Sequence, residues 1–239
     1  PDGVATFREA KADVAPGERV LIVGPAGVGK SMLFRAMAQL WPWGSGTILM
    51  PPPDKSMFLT QRPYLPAGDL ADALAYPRAR SDWSDADYEA ALRRVGLGAY
   101  VPEMHVGKRW DRELSLQEQQ SLSFARLLLH HPKWVFLDEA TSACIESQCE
   151  TLLAIFTDEL ADAAVVGLGR MPTNGLYTRT LTLERRPDAK MHLALAETGG
   201  PVVGRAPKPF AAVRREEPGE TTPVRVAGRR APSIDHAAD

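Results

Sequence analysis

The segment that carries most of the fold information is Arg19-Val-Leu-Ile-Val-Gly-Pro-Ala-Gly-Val-Gly-Lys-Ser31. Its first part, residues 19–23, is an apolar run that ends at a glycine, which predicts a short buried parallel strand. The Gly-x-x-x-x-Gly-Lys-Ser pattern that follows predicts a loop whose glycines let successive backbone N–H groups point at phosphate oxygens. Residues 31–40 then predict a helix, whose positive N-terminus faces the same anion. Strand, loop and helix together indicate a site for the phosphates of a nucleotide.

Each part of this loop has an expected role in binding ATP and Mg²⁺. The Lys30 ammonium is expected to reach the β and γ phosphates, and the Ser31 hydroxyl is expected to ligate Mg²⁺. The expected nucleotide-binding residues are Gly24, Pro25, Ala26, Gly27, Val28, Gly29, Lys30, Ser31 and Met32. One alternative stays open, in which the loop keeps its sequence but no longer binds a nucleotide.

A second motif, Trp134-Val-Phe-Leu-Asp138-Glu139, lies about 110 residues further along the chain. An apolar strand here would deliver two carboxylates at its carboxyl end, which is where ligands bind in open α/β sheets. We expect Asp138 to hold the metal and Glu139 to orient and polarise the attacking water. Such a strand is common by itself, but after a phosphate-binding loop it indicates nucleotide hydrolysis.

Strand and helix patterns alternate along much of the remaining chain. Further strands are predicted over residues 47–50, 56–60, 133–137, 164–168, 181–184 and 192–196, and helices over residues 84–96, 116–130 and 145–160. This alternation predicts a parallel sheet with helices on both faces. The mostly helical stretch from about residue 65 to 129 indicates a subdomain inserted between strands. The composition of residues 200–239 turns to Pro, Arg, Ala and Glu, which predicts a disordered tail.

Composition limits the possible partners. The chain has 239 residues, 44% of them hydrophobic and 24% charged, as expected for a globular domain. A net charge of −2 gives no electrostatic reason to expect nucleic acid as a partner. No apolar run approaches the length of a membrane span, and because the chain opens at Pro1, we expect a membrane domain upstream on a longer polypeptide. The spacing of Cys144 and Cys149 is poor for a disulfide, so both are expected to be packing residues.

Further motifs between and after these two give the chain a family resemblance. Phe58-Leu-Thr-Gln61-Arg-Pro-Tyr64 resembles the Q-loop of ATP-binding cassette (ABC) domains, and Leu114-Ser-Leu-Gln-Glu-Gln-Gln120 resembles their signature motif. Asp138-Glu-Ala-Thr-Ser-Ala143 resembles the Walker B motif and the start of the D-loop. The resemblance covers roughly residues 1–185. Leu-Trp-Pro-Trp-Gly-Ser-Gly and Leu-Leu-Leu-His-His-Pro are similar to the peroxisomal fatty-acyl exporters and their bacterial peptide-antibiotic and vitamin B12 relatives.

The resemblance implies an α/β fold of the P-loop NTPase type over residues 1–199, with a parallel core sheet, an antiparallel β part and an inserted α-helical subdomain. It implies that Gln61 touches Mg²⁺ and the attacking water, and that Ser115 donates to the γ phosphate of a partner's ATP. Cassettes of this family pair head to tail, so the implied partners are a second cassette, as homo- or heterodimer, and a transmembrane domain upstream on the same chain. The implied location is the cytoplasmic face of the inner membrane.

Four positions depart from the family pattern. Leu116 and Gln117 stand where the signature has glycines; bacterial relatives often carry the leucine, but the side chain of Gln117 can obstruct a close approach of backbone N–H to the γ phosphate. Ile145 stands at the position of the D-loop aspartate. Arg170 stands where the catalytic switch histidine belongs, and it can donate to phosphate but offers no acceptor.

These departures lead to a hypothesis of slow turnover. We expect the domain to bind Mg-ATP well and either to hydrolyse it slowly or to need a partner with an intact signature. Three alternatives stay open: an active enzyme in which the changes are neutral, a cassette that senses nucleotide without useful hydrolysis, and a soluble cassette of the translation or repair type. The transported substrate and the direction of transport lie outside what these residues encode.

Overall fold

The computed structural model describes residues 4–8, 12–41, 43, 46–141, 143, 145–169, 175–186, 191–195 and 211–215. Its strands are β1 (Val4–Phe7), β2 (Asp13–Val14), β3 (Arg19–Val23), β4 (Gly46–Met50), β5 (Ser56–Thr60), β6 (Trp134–Asp138), β7 (Ala164–Leu168), β8 (Arg179–Arg186), β9 (Met191–Leu195) and β10 (Ala211–Arg215). They form a six-stranded sheet of order β1-β8-β3-β7-β6-β5 and a four-stranded sheet of order β10-β4-β9-β2.

Parallel pairing dominates the six-stranded sheet. β3 pairs in parallel with β7 and with β8, and β6 pairs in parallel with β7 and with β5. β1 is antiparallel to β8, whereas the pairs of the four-stranded sheet are parallel. The inner strands are apolar runs because both faces of a parallel sheet are covered; all five residues of β7 are buried. The predicted α/β class, with parallel and antiparallel strands, is confirmed.

The α-helices are α1 (Lys30–Met37), α2 (Leu70–Ala75), α3 (Asp85–Arg94), α4 (Trp110–Glu113), α5 (Leu116–His130) and α6 (Glu146–Leu153). Short 3₁₀ helices cover Pro53–Lys55, Arg80–Asp82, Gly98–Glu103 and Ala154–Phe156. α2 to α5 all lie between β5 and β6 in the chain, so the predicted helical insertion is present. Ser84 and Asp87 form a capping box at the start of α3, and α5 has the predicted bounds.

Two apolar clusters cover the sheet and fix the position of the helices. One joins α5 to the sheet, through residues such as Leu122 and Phe124 packed with Val135. The other contains Leu33 of α1 together with Phe136 of β6. Burial of these side chains orients the helices, and with them the loops that precede α1 and α5.

The structure differs from the sequence expectations in several elements. β1, β2 and β10 were not predicted, and the helix expected over residues 145–160 is shorter, since α6 gives way to a 3₁₀ turn. β10 lies in the stretch expected to be disordered, and its backbone pairs with β4, a contact that composition does not reveal. The rest of residues 200–239 lies outside the described residues, so disorder there stays a prediction.

Two further expectations concern single features. Cys149 is disulfide-bonded, so the expectation of a packing thiol at this position is wrong; Cys144 lies outside the described residues. Among the described helices, none combines the length and the apolar character needed to cross a bilayer.

Candidate nucleotide-binding site

The phosphate-binding loop connects β3 to α1, and its glycines are required by its backbone. Gly27 and Gly29 have φ values of 74° and 116°, in the left-handed region that side chains disfavour. Gly24 is required for a different reason, because a Cβ there would lie 2.5 Å from the Leu183 carbonyl oxygen. The loop therefore curls tightly against β8, and the sequence interpretation of the glycines is supported by this geometry.

Lys30 closes the loop from inside. Its Nζ donates to the carbonyl oxygens of Gly24 at 2.8 Å and Pro25 at 3.0 Å. Two carbonyls of the loop thus hold the ammonium over the loop. An anion bound in the loop would contact the same ammonium. The loop opens on a cavity of about 500 Å³, which is lined by Gly24, Ala26, Gly27, Gly29, Lys30, Ser31, Met32, Glu139 and Gly169.

The two carboxylates at the end of β6 meet the phosphate loop from the opposite side. Burial, with a further contribution from the neighbouring Glu139 charge, raises the pKa of the Asp138 carboxyl, and a hydrogen bond with Ser31 opposes this shift. Glu139 has a φ of 50° and its backbone N–H donates to the Leu168 carbonyl at 3.3 Å. This backbone contact places Glu139 at the rim of the cavity, beside Gly169.

The parallel sheet brings four chain segments to one edge. Thr60 pairs with Asp138, and Asp138 pairs with Leu168, so β5, β6 and β7 end side by side. Gln61 follows β5 directly, and Gly169 follows β7. The segments that carry the Q-loop, the carboxylates and the switch position therefore start at the same edge as the phosphate loop. Arg170 itself lies outside the described residues.

The predicted nucleotide-binding residues do not all face the cavity. Val28 is buried, and a Cβ built on Gly24 would contact its side chain. Pro25 contributes its carbonyl to Lys30. Ser115, Gln61 and Asp138 are not among the residues that line the cavity; the roles of all three stay predictions.

The residues present suit a magnesium ion. The Ser31 hydroxyl lies close enough to the Asp138 carboxylate to lower its pKa, and a second carboxylate follows directly. Hydroxyl and carboxylate oxygens are the ligands that Mg²⁺ prefers, and it usually takes few from the protein and the rest from phosphate and water. A bound cation would also remove the repulsion between the two carboxylates.

The signature segment is organised differently, as the first turn of α5. Ser115 is the N-cap residue: its Oγ accepts from the Glu118 N–H and donates to the Glu118 carboxylate at 2.7 Å. Tyr100 also donates to this carboxylate at 2.6 Å, which with burial raises the Tyr100 pKa to about 12. The pKa of Glu118 is lowered, although burial opposes the shift, because the Tyr100 and Ser115 bonds favour its charged form.

Gln117 is engaged within the chain. Its amide donates to the side-chain oxygen of Gln148 on α6, and Gln148 donates in turn to the Ser121 hydroxyl at 2.7 Å. Ile145, at the D-loop position, has 64% of its surface exposed. Of the departures from the family pattern, Gln117 is therefore half-buried and bonded within the chain, whereas Ile145 is open to solvent.

The sequence assigned no role to two residues that contact the loops of the site, Arg185 and Gln120. Arg185 on β8 donates to the Gly27 carbonyl at 3.0 Å, a contact that depends on strand pairing across 158 positions. Gln120 lies within the segment identified as the signature, but the interpretation gave it no role. Its amide contacts two loops of the site.

Comparison with known proteins agrees with this geometry. Residues 7–142, more than half of the chain, match the family model described as ABC transporter. An uncharacterized ABC transporter ATP-binding protein of Haemophilus influenzae is 36% identical over 185 residues, 77% of this chain and 31% of that protein. Human ATP-binding cassette sub-family D member 3 is 38% identical over 152 residues, 60% of this chain and 23% of that protein.

Solved structures give the same fold. A bacterial Atm1-family ABC exporter with ATP bound superposes with a TM-score of 0.55 and 22% identity, over 71% of this chain and 35% of that one. The chain spans about a third or less of the length of the relatives it matches.

Proposed function

Since this chain belongs to the ABC transporter family, we propose that it is the nucleotide-binding domain of a membrane transporter, which binds Mg-ATP and couples its hydrolysis to translocation. The observation that carries the proposal is the shared edge of the sheet. There the glycine-rich loop, Lys30, Ser31 and Glu139 line one cavity, and Asp138 lies next to Glu139 in the chain and close to Ser31. ATP hydrolysis needs this combination of phosphate cradle, metal ligands and a carboxylate that can polarise water.

Each residue has a part in the proposed reaction. Lys30 would turn from the Gly24 and Pro25 carbonyls to the β and γ phosphates, while the loop N–H groups bind phosphate oxygens. Ser31 and Asp138 would hold Mg²⁺, which when bound neutralises the charge that develops on the phosphates. Glu139, at the cavity rim, would accept the hydrogen bond of the attacking water. Gln61 would position the same water from the neighbouring strand end.

The finer proposal is that turnover by this chain is slow. Gln117 replaces a signature glycine, and its bond to Gln148 ties the side chain into the domain at the place where a partner's γ phosphate would approach. Ile145 offers no polar group for a partner cassette. Arg170 would donate to phosphate without an acceptor for the water. Losing one transition-state contact costs a rate factor of about 10²–10³, and coupled losses do not multiply.

The proposed partners rest on the family resemblance. We infer a transmembrane domain upstream on the same chain, a second cassette bound head to tail, and a location at the cytoplasmic face of the inner membrane. A relative from Escherichia coli, 33% identical over 174 residues, is named as an inner membrane ABC transporter ATP-binding protein. In a heteromeric pair, this chain would give its phosphate loop to one active ATP site, completed by the partner's signature. The other ATP site, completed by the altered signature of this chain, would be inactive.

Two alternatives differ in measurable ways. In the first, the domain binds Mg-ATP and signals its presence without hydrolysis; in the second, the changed positions are neutral and turnover is normal. Phosphate release by the full-length protein, with Lys30→Ala as the control, separates them. Release at an ordinary family rate that Lys30→Ala abolishes supports the neutral reading and sinks slow turnover. Tight binding with no release supports the sensor.

The binding step has its own test. Calorimetric titration of the full-length protein with ATP and Mg²⁺ should show association that Lys30→Ala removes, because the ammonium carries the charge at the phosphate cradle. Lys55→Ala, at the end of the 3₁₀ turn before β5, is the control for loss of a positive charge elsewhere. Equal binding by wild type and Lys30→Ala would overturn the proposed function.

Gln117→Gly tests the slow-turnover proposal directly. Glycine restores the family residue and releases Gln148, so phosphate release should rise by up to about tenfold if the side chain is what obstructs the γ phosphate. The matched control is Gln148→Met, which removes the bond but keeps the Gln117 side chain. A rate that stays unchanged in Gln117→Gly would show that the obstruction lies elsewhere.

A further inference from the structure

Gln120 lies one turn into α5 and is 1% exposed. Its side-chain amide is used at both ends: Nε2 donates to the Gln61 carbonyl at 2.9 Å, and Oε1 accepts from the Ala143 N–H at 3.2 Å. One planar amide therefore joins the backbones of two loops that are 82 positions apart in the sequence (143 minus 61).

These two loops both adjoin the segment that carries the carboxylate pair. Gln61 follows β5, whose last residue pairs with Asp138 on β6. Ala143 lies four positions after Glu139, on the chain that leaves β6. The Gln120 amide thus contacts the backbone of Gln61 itself and of the segment that continues from Glu139.

We propose that Gln120 is a positioning residue for ATP hydrolysis, which holds the Gln61 and Ala143 backbones at the spacing that the site needs; this inference rests on the proposed function. A buried amide with a donor and an acceptor suits this role, because it can bond to one carbonyl and one N–H at the same time. Because the bonds go to backbone atoms, they fix the path of both loops whatever side chains those loops carry.

The position of Gln120 on α5 makes the contact sensitive to the signature segment. Gln117 and Ser121, on neighbouring turns of the same helix, are tied to Gln148 on α6. The helix that presents Ser115 to a partner is therefore bonded to the Q-loop through Gln120, to the D-loop segment through Gln120, and to α6 through Gln148. A displacement of α5 when a partner's nucleotide contacts its first turn would be passed to both loops.

Three variants of the full-length protein separate positioning from folding. Gln120→Met keeps the length of the side chain and removes both bonds. Gln120→Glu keeps the acceptor for Ala143 but puts an oxygen in place of the donor to Gln61. Ser123→Ala is the matched control, because its buried hydroxyl on the same helix bonds only to the Gln119 carbonyl one turn back.

The measurements are the kcat and KM of phosphate release, the Kd of Mg-ATP and the thermal midpoint. We expect kcat of Gln120→Met to fall by about tenfold or more, since small displacements of catalytic groups carry large rate costs. The Kd should change by less than about threefold, because the bonds from Gln120 to Gln61 and Ala143 involve no residue that lines the cavity. Gln120→Glu should lower kcat at least as far as Gln120→Met, because a buried carboxylate oxygen would face the Gln61 carbonyl oxygen. Ser123→Ala should keep the wild-type kcat.

A kcat of Gln120→Met within twofold of wild type, or a loss that Ser123→Ala reproduces, would overturn the inference. Amide hydrogen exchange gives a readout that is independent of activity: the Ala143 amide should exchange faster in Gln120→Met, while amides of β3 stay unchanged. If wild type releases no phosphate that depends on Lys30, the proposed function fails. In that case exchange at Ala143 still decides whether Gln120 holds the loop, and an unchanged rate overturns this contact as well.

Discussion

The phosphate loop and the signature segment are both helix N-termini, but they are held in different ways. The phosphate loop before α1 is defined by backbone geometry: two glycines in the left-handed region and a third packed against the Leu183 carbonyl. The signature turn at the start of α5 is defined by side chains, with Ser115 and Glu118 capping each other and Gln117 bonded to Gln148.

This difference makes a substitution harder to accommodate in the phosphate loop than in the signature turn. A backbone that only glycine can adopt gives no room for substitution, because any Cβ adds strain or a clash. A turn held by side-chain bonds can accept a different side chain if that side chain finds a hydrogen-bond partner. Gln117 bonds to Gln148 on α6. We therefore expect changes in the phosphate region to affect chemistry strongly, and changes in the signature turn to act mainly through stability and through a partner.

The largest expected effect is on the rate of phosphate release, from a change beside the phosphate loop. Glu139→Gln removes the carboxylate at the cavity rim, and phosphate release should fall by about 10²–10³ while the Kd of Mg-ATP stays within about threefold. Single-turnover kinetics of the full-length protein would measure both. Glu146→Gln, an exposed carboxylate at the start of α6, is the control and should keep the wild-type rate. A Glu139→Gln rate close to wild type would remove the carboxylate from the reaction.

The next effect concerns the backbone of the phosphate loop. In Gly24→Ala the added methyl would lie 2.5 Å from the Leu183 oxygen and 2.9 Å from Val28 Cγ1, so the free energy of unfolding should fall by about 1–3 kcal/mol. Urea denaturation measures this. Gly107→Ala, where nothing lies within 4 Å, should change the free energy by less than about 0.5 kcal/mol. Equal losses in the two variants would show that the loop tolerates a side chain.

A smaller effect is expected from the cap of the signature turn. Ser115→Ala removes the acceptor for the Glu118 N–H and should lower the free energy of unfolding by about 1 kcal/mol. Ser147→Ala, at an exposed position inside α6, is the control and should be neutral within about 0.5 kcal/mol. If Ser115→Ala left stability unchanged, side-chain capping would not be what holds this turn.

The smallest expected effect is the pH dependence of stability, which has opposite signs in the phosphate region and in the signature turn. Burial and the Glu139 charge raise the pKa of Asp138, so its contribution to stability is present at low pH and is lost as pH rises through the raised pKa. The lowered pKa of Glu118 has the reverse consequence: its contribution is present at neutral pH and is lost as pH falls. Each region therefore has a carboxylate whose ionisation can be tested.

Without nucleotide and metal, Asp138→Asn should raise the free energy of unfolding at pH 7, and Glu118→Gln should lower it. Both differences should shrink in acid, as measured by urea denaturation across the pH range. The gain in Asp138→Asn should be smaller than the loss in Ser115→Ala, because Asp138 is only half-buried and water screens part of its charge. The same sign in both variants would break the contrast between the two regions.

Much of the fold could be predicted from local patterns. β3, β5, β7 and α5 have the predicted bounds because apolar runs, glycines and the Pro132 stop are local signals. β1 and β10 could not be predicted, since each exists by pairing with a strand that is far away in the sequence. The phosphate loop could be predicted for the same reason as β3, because its glycines are required by the conformation of the loop itself.

By itself the sequence determined the phosphate loop, the carboxylate pair and the order of the motifs, because backbone preference and hydrophobic periodicity act over a few residues. Only the tertiary structure decided that Arg185 reaches the Gly27 carbonyl, that Gln117 bonds with Gln148, and that Gln120 joins two loops. These contacts depend on how buried helices and strands pack, and packing brings together residues between which the sequence shows no relation.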